Sequence, residues 1–260
     1  WEKGYGDFVL KPDMATLRLL PFLRQAKSAH PLAAAAQRQL AGFDGRMAAD
    51  RAAPLIFWAW ARHLARQLFA DDLGEKSWKA GSRSYRDAME AVLERDDAWW
   101  CDDKVTAAAE TCALQVDAAF GAALDELQAA QGADVAAWQW GRAHVARSEH
   151  RPFSHVGLLA RAFELRAPVG GDTYTVNVSR VGLKPDPRTG ELYLDEHGPS
   201  LRALYDLGDP AKSRFMHSSG QSGIVFSPRY RGFVDRWARV EDLPLWGAAA
   251  EHALVLKPAP

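Results

Sequence analysis

The feature of this sequence that most constrains its fold is a change in hydrophobic spacing near Arg142. Before that point, apolar residues recur every three or four positions, which places them on one face of a helix. The two clearest stripes are Ile56, Trp60, Leu64 and Leu68, and Val116, Phe120, Leu124 and Leu127. Both stripes are most simply interpreted as core, so the first half of the chain is predicted to be helical.

The segment from Met14 to Gln25 also has helical spacing, through Leu17, Leu20 and Leu23. It contains Pro21, which lacks a backbone donor. A proline inside a helix removes one hydrogen bond and crowds the preceding turn. A bend or restart is therefore expected at this proline.

After Arg142 the spacing is that of strands. In TYTVNV (173–178), Tyr174, Val176 and Val178 alternate with polar residues, which predicts a half-buried strand after a Gly170–Gly171 turn. Residues 184–198 are rich in Pro, Gly and Asp and predict an exposed hairpin or long loop. Further strands are expected in SLRALYDL (200–207), RFMHSSGQSGIVF (214–226) and HALVLKP (252–258).

One more helix is predicted within this second half. Ser227 and Pro228 form a good helix start, a capping side chain followed by proline at the first helical position. Helices followed mainly by strands indicate an α+β fold. We expect a helical region over residues 1–140 and a β-rich region over 141–260, joined in one structural unit.

Composition narrows the function classes. The chain has 260 residues, 48% of them hydrophobic, and a formal net charge of -1 with dispersed basic residues, which argues against nucleic acid as a partner. No apolar run approaches the roughly 20 residues that span a bilayer. The first residues, Trp1 to Gly4, do not form a signal peptide, so the chain is expected to be mature or truncated.

The two cysteines, Cys101 and Cys112, lie in WWCDDKVTAAAETC. On one continuous helix they would lie about 16 Å apart, too far for a disulfide. If Thr106 caps a helix that includes Cys112, a preceding loop can fold back and bring Cys101 close. We favour a disulfide and an oxidising compartment, with two buried free thiols as the alternative.

The segment HSSGQSG (217–223) raises the question of a catalytic serine. The strand-to-helix nucleophile turn needs G-x-S-x-G, and here Gly223 directly follows Ser222. The match fails, although His217 is a conceivable base. Glycines in a strand more often allow close backbone approach. Gln221, Ser222 and Gly223 are therefore assigned to the lining of a cleft or to core packing, and Gly223→Val is expected to abolish folding.

No metal site is predicted from spacing. His144, His150 and His155 are near one another in sequence, but there is no HExxH motif and no thiol cluster. The acidic pairs, such as Asp71–Asp72, are typical of turns and caps. Gly170–Gly171–Asp172 has neither phosphate-binding pattern. No cofactor is expected.

Several segments together resemble, in order, the C-terminal part of penicillin acylase family β subunits. They are LAGFDGRMAADRAAPLIFWAWARHL (40–64), WWCDD…ETC, WQWGRAHVARSEHRPFS (138–154), GGDTYTVNVSR (170–180), GPSLRALYDLGD (198–209) and SSGQSGIVFSPRYRGFVDRW (218–237). The cysteine-bearing segment is similar to the branch of aculeacin-type and acyl-homoserine-lactone acylases. Phe43 stands where the family typically has tryptophan.

The resemblance implies an N-terminal-nucleophile amidohydrolase with an αββα sandwich. Such enzymes cleave themselves and expose a serine whose hydroxyl attacks the amide while its own α-amine acts as the base. An α-amine has an ordinary pKa of about 7.7–8.0, so it is neutral often enough to do so. Backbone and asparagine donors stabilise the oxyanion.

The sequence departs from that plan at its first residue, because Trp1 offers no nucleophile. The family's oxyanion asparagine and its neighbouring arginine belong to upstream segments, and Asn177 is in a different motif. None of the family's catalytic residues is carried onto this chain. The resemblance implies a periplasmic or secreted acylase whose N-terminal β-subunit part and α subunit are partners of this chain.

Three functions follow as hypotheses. The first is a section of an acylase that cleaves penicillin-type, lipopeptide or acyl-homoserine-lactone amides. The second is a non-catalytic binding or structural module of that family that has lost the nucleophile half. A sheet without its neighbouring strands predicts a partner chain or an oligomer. The alternative is that the chain stands alone, because the helices closed by Cys101 and Cys112 cover much of the core. The third is an autonomous serine hydrolase that uses Ser222.

Overall fold

The computed structural model describes residues 10, 11, 14–80, 85–195 and 197–246. It confirms an α+β fold, with helices first and short antiparallel strands after them. The chain divides into two compact units, Trp1–Gly198 and Pro199–Pro260. The first unit contains residues on both sides of position 140. There, the backbone of Trp140 and Gly141 donates to Arg51 O and Ala49 O at 2.8 and 2.7 Å. The division into a helical and a β-rich region at residue 140 stays a prediction.

The first unit is built on helices. Their bounds are α1 Met14–Gln25, α2 Ala33–Ala41, α3 Ala53–Ala80, α4 Arg86–Arg95, α5 Ala98–Cys101, α6 Cys112–Gln131 and α7 Trp140–Ala143, with a 3₁₀ turn at Val135–Ala137. Helix α3 kinks at Gly74, whose φ is 72°. A positive φ costs glycine little because it has no Cβ.

Helices α3 and α6 pack against each other and form the centre of the core. All eight residues of the two predicted stripes are buried. Each such side chain contributes about 1.5–3 kcal/mol when it leaves water. The prediction of helices from these stripes is therefore confirmed.

The helix predicted around Pro21 is also present, without a restart. Helix α1 continues through Pro21, which is exposed. Leu17, whose carbonyl loses its helical donor, is also on the exposed side, so water can supply the missing hydrogen bond.

A disulfide joins Cys101 to Cys112, with 4.9 Å between the Cα atoms. It links the end of α5 to the start of α6, and both cysteines are buried. The predicted cap is wrong: α6 begins at Cys112, and Thr111 caps it by accepting a hydrogen bond from Leu114 N at 3.3 Å. Thr106 instead lies in the preceding loop, where its hydroxyl contacts Glu110 at 2.7 Å.

The remainder of the first unit carries a two-stranded antiparallel sheet. Strand β1 (Val145–Ser148) pairs with β2 (Leu165–Pro168), with Val145 opposite Pro168. A 3₁₀ turn (Phe153–His155) and helix α8 (Gly157–Phe163) lie between them. Beyond β2, Asp186 accepts hydrogen bonds from Arg188 N and Thr189 N, which folds residues 184–190 into the predicted loop.

The strand predicted over residues 173–178 is wrong, since this stretch forms turns and bends. Its alternation is real but inverted: Tyr174, Val176 and Val178 are 37, 61 and 38% exposed, while Thr175 and Asn177 are buried. Local hydrogen bonds explain the inversion. Asp172 Oδ1 accepts from Tyr174 N and Thr175 N, so the polar side can be buried at low cost.

The second unit contains a three-stranded antiparallel sheet in the order β3 (Leu201–Leu204), β4 (Arg214–His217) and β5 (Leu243–Pro244). Two predicted strands thus appear, in shortened form. A short 3₁₀ turn (Pro210–Lys212) precedes β4, and helix α9 (Val234–Ala238) covers part of the sheet. HALVLKP lies outside the described residues.

The helix predicted to start at Ser227 is wrong in its first two turns. Ser227 Oγ accepts from Arg229 N at 3.2 Å, which closes a local turn, and only Val234–Ala238 is α-helical. The competing side-chain hydrogen bond explains the error, because serine stabilises turns and helix caps by the same contact.

Candidate functional site

Ser222 is partly exposed and lies in a loop of the second unit. Its hydroxyl accepts a hydrogen bond from Ile224 N at 3.1 Å. His217 Nδ1 instead contacts Ser219, at 3.3 Å from both its backbone N and its Oγ. The structure therefore does not bring His217 and Ser222 together as a base and a nucleophile.

Close backbone approach in this loop occurs at Gly220 and not at Gly223. A Cβ on Gly220 would lie 1.7 Å from Arg229 O, and Gln221 N donates to the same oxygen at 2.8 Å. Gly223 has nothing within 4 Å of a Cβ position, and both it and Gln221 are exposed. Core packing by Gly223 is thus wrong, because its side-chain position faces open space. A place beside a cleft stays a prediction for Gln221 and Ser222.

Another serine–histidine pair lies in the core of the first unit. His144 Nε2 lies 2.9 Å from Ser179 Oγ, and His144 Nδ1 lies 2.6 Å from Tyr193 O. Because a carbonyl can only accept, Nδ1 carries the proton and Nε2 accepts from the serine hydroxyl. The imidazole thus has the orientation that a general base needs.

Access argues against catalysis at this pair. Both side chains are almost completely buried, and Gly171 packs beside Ser179, where a Cβ would lie 3.4 Å from Ser179 Cβ and 2.7 Å from Asn177 O. A nucleophile must come within about 3–3.5 Å of the carbonyl carbon it attacks. The pair therefore has a structural role. It joins the residue directly before β1 to the loop after β2.

Burial also sets the protonation state of this histidine. Removal from water lowers the pKa of His144 to about 4, although the hydrogen bond to Tyr193 O acts in the opposite direction. The ring is neutral at pH 7, as its two hydrogen bonds require. No sequence motif marks Ser179, which continues the polar side of the alternating pattern that predicted a strand.

A second polar cluster, the Glu126 clamp, consists of Arg62, His63, Glu126 and Tyr193. Glu126 accepts hydrogen bonds from the Tyr193 hydroxyl and from His63 Nε2, the latter at 3.0 Å. Arg62 pairs with the same carboxylate, and its Nε donates to Tyr193 Oη at 3.0 Å. The clamp ties helices α3 and α6 to the loop that carries Tyr193.

The charges of the Glu126 clamp are mutually stabilised. Burial raises the pKa of Glu126, but the hydrogen bond with His63 and the charge of Arg62 outweigh it, and the net pKa lies below the ordinary value. Burial raises the pKa of Tyr193 far above its ordinary value, so the phenol stays protonated and donates. Tyr193 thereby serves both polar sites, through its hydroxyl and its carbonyl.

An open groove of about 430 Å³ lies on the first unit. Its lining residues are Ala49, Asp50, Gln139, Gly141, Arg142, Val145 and Pro168. Gly141 is tightly held, since its Cβ would lie 3.0 Å from Ala49 Cβ and 3.1 Å from Pro168 Cβ. The lining is mainly apolar, with one cation and one carboxylate.

Within the described ranges, no three His, Cys, Asp or Glu side chains are grouped so that they could hold a metal ion. Among the helices that those ranges contain, none combines the length and the apolar character needed to cross a membrane.

Comparison with known proteins identifies the family. The penicillin amidase family model matches residues 9–253. The chain belongs to the penicillin amidase family. The residues of both polar clusters lie within the matched range, so this family membership covers the whole described core.

Two curated relatives of this penicillin amidase family chain are acyl-homoserine lactone acylases QuiP. The protein of one Pseudomonas fluorescens strain is 29% identical over 90% of this chain, and that of Pseudomonas aeruginosa is 30% identical over 84%. The chain spans 28% of the length of each. A solved penicillin G acylase from Alcaligenes faecalis aligns with 96% of this chain and 48% of its own, at 16% identity and a TM-score of 0.49.

Proposed function

We propose that this chain is the C-terminal portion of an amidohydrolase that cleaves the linear amide of N-acyl compounds. The observation that carries the proposal is the match of the penicillin amidase family model to residues 9–253. N-acyl-homoserine lactones are the leading substrate class, because relatives named acyl-homoserine lactone acylase align with 84–90% of this chain. Penicillin-type side chains and lipopeptides are the alternatives.

In this proposal the nucleophile and its base lie on polypeptide other than this chain. Support comes from the geometry of its own serines. Ser179 has a base but is buried, and Ser222 is partly exposed but accepts a hydrogen bond from Ile224 N. Ser219 Oγ lies 3.3 Å from His217 Nδ1, but the backbone N of the same serine lies 3.3 Å from that nitrogen too, so this contact closes a local turn. The chain's part is to supply the helical core and the loops that His144 and the Glu126 clamp hold in place. Partners are then the N-terminal part of the β subunit and the α subunit.

The proposed location is the periplasm or the cell exterior. The disulfide between Cys101 and Cys112 supports it, because disulfides persist in oxidising compartments. Cell fractionation followed by non-reducing mass analysis tests this point. A cytoplasmic protein with two free thiols would contradict it.

The activity is tested on the product of the complete reading frame, beside the isolated 260-residue chain. Amide cleavage of an N-acyl-homoserine lactone releases a primary amine, whereas lactone opening does not, so an amine-reactive fluorophore separates the two reactions. We expect amine release from the complete protein and none from the chain alone. Penicillin G and a lipopeptide as further substrates test the alternative classes.

The outcomes separate the three hypotheses. A complete protein that releases amine from none of the three classes, an N-acyl-homoserine lactone, penicillin G and a lipopeptide, contradicts the acylase and favours a non-catalytic module. Steady turnover by the isolated chain, abolished in Ser222→Ala or Ser179→Ala, would favour an autonomous serine hydrolase. Intact mass of the complete product, with and without self-cleavage, identifies the residue that begins the β subunit.

A further inference from the structure

Residues 150–163 form a segment, called the 150–163 knob below, whose apolar side chains are exposed to solvent. Helix α8 within it has no buried residue. Leu158 is 78% exposed, Val156 53% and Phe153 38%. Exposed apolar side chains are common singly, but three within six residues are a concentrated apolar surface.

The 150–163 knob has a defined shape in spite of this exposure. The ring of His150 stacks on Phe153 at 5.1 Å between centroids, and Phe153 contacts Phe163 at 4.7 Å. His150 N donates to Ser154 Oγ at 2.7 Å. These contacts within the segment hold its shape. The side chains at its apolar tip, Leu158 and Val156, take no part in them.

Charge on the 150–163 knob has one sign. Arg151, His155 and Arg161 are exposed, and residues 150–163 contain no Asp or Glu. The flanking carboxylates Glu149 and Glu164 both pair with Arg188, at 3.4 and 2.6 Å. Arg147 also pairs with Glu149, at 3.1 Å, so each of these carboxylates is engaged by arginine. The tip therefore presents apolar side chains flanked by the exposed Arg151 and Arg161.

We propose that the 150–163 knob binds the surface of a lipid bilayer that contains anionic headgroups. A bilayer interface takes apolar side chains into the acyl boundary and attracts flanking basic residues to its phosphates. The tip offers Leu158 and Val156 beside the exposed Arg151, His155 and Arg161, which suits the apolar boundary and the anionic phosphates of such a surface. This inference is independent of the proposed amidase activity.

The test uses co-sedimentation of the 260-residue chain with vesicles. One set contains phosphatidylcholine alone, and the other contains phosphatidylcholine and phosphatidylglycerol at roughly 3:1, a composition chosen to give a negative surface. Leu158→Asp and Arg161→Glu change the apolar tip and its charge. Leu207→Asp is the matched control, because Leu207 is 94% exposed in the second unit.

We expect binding to the anionic vesicles only, reduced at least fivefold by Leu158→Asp and by Arg161→Glu and unchanged by Leu207→Asp. Equal thermal unfolding midpoints exclude misfolding as the cause. Absence of binding by the unsubstituted chain, equal binding to neutral vesicles, or full binding by either knob variant would overturn the proposal.

A protein partner is distinguished in the complete protein. Leu158→Cys is exposed to a water-soluble maleimide before and after addition of anionic vesicles. Labelling that proceeds without vesicles and is suppressed by them supports the proposal. Protection without vesicles shows that another part of the protein covers the knob, and overturns it.

Discussion

Trp140 stacks on His144 with 4.4 Å between ring centroids and 15° between ring planes. The indole Nε1 of Trp140 also donates to Gly171 O at 2.9 Å. The imidazole therefore lies between an aromatic face and two hydrogen-bond partners, and water has no place around it. This arrangement is the reason that the first unit depends on a neutral histidine.

Stability is expected to fall as the pH drops from about 6.5 towards about 4. Burial lowers the pKa of His144 to about 4, so the unfolded chain binds a proton that the folded chain excludes. The contribution of neutral His144 to the free energy of unfolding is fully present above the pKa that this histidine has in the unfolded chain, and it is lost below that pKa. The loss is on the order of 3 kcal/mol. Urea titrations at pH 7, 6 and 5 measure this.

The matched variant for this pH dependence is His144→Gln, whose amide offers one donor and one acceptor but does not titrate. We expect a lower stability at pH 7 and a flatter slope between pH 7 and 5 than in the unsubstituted chain. If both proteins have the same slope, another group causes the pH dependence.

Ser179→Ala is expected to destabilise the chain by about 1–3 kcal/mol, because His144 Nε2 would remain buried without its donor. Ser222→Ala is the control: its hydroxyl is partly exposed and makes one local contact, so we expect a change within about 0.5 kcal/mol. Urea midpoints at pH 7 measure both. A milder effect of Ser179→Ala than of Ser222→Ala would contradict the structural role of the pair.

Gly220→Ala is expected to disrupt the second unit, since its Cβ would overlap Arg229 O and the obstacle is backbone. Forced overpacking of this kind costs about 1–3 kcal/mol or more. Gly223→Ala meets open space and should be tolerated. Amide hydrogen exchange over residues 199–246 distinguishes the two. Equal protection in both variants would count against the close approach at Gly220.

Replacement of Cys101 and Cys112 by serine is expected to cost roughly 2–4 kcal/mol, because the open loop between them gains freedom in the unfolded state. The same loss should follow incubation of the unsubstituted protein with a reductant under conditions that open the buried bond. Thermal unfolding with and without reductant tests this. A double-serine variant that still responds to reductant would show that the reagent acts elsewhere.

Sequence pattern alone was sufficient for the helical core. The stripes through Trp60 and Phe120 identify helices because apolar residues at helical spacing have few other ways to leave water. The family resemblance was also evident, since separated segments agree in order. The sequence favours a disulfide without deciding it, because Cys101 and Cys112 meet only if the loop between them turns back.

Tertiary structure decided which side of each polar segment is buried. Alternation around Asn177 predicts two faces but does not state which one faces the core, and local hydrogen bonds to Asp172 allow the polar face to be inside. The hydrogen bond between His144 and Ser179 joins residues that are distant in sequence. Glycine is required at 220 rather than at 223 because the backbone returns close to position 220. Short-range pattern determines local conformation, whereas contacts between distant segments decide what each side chain meets.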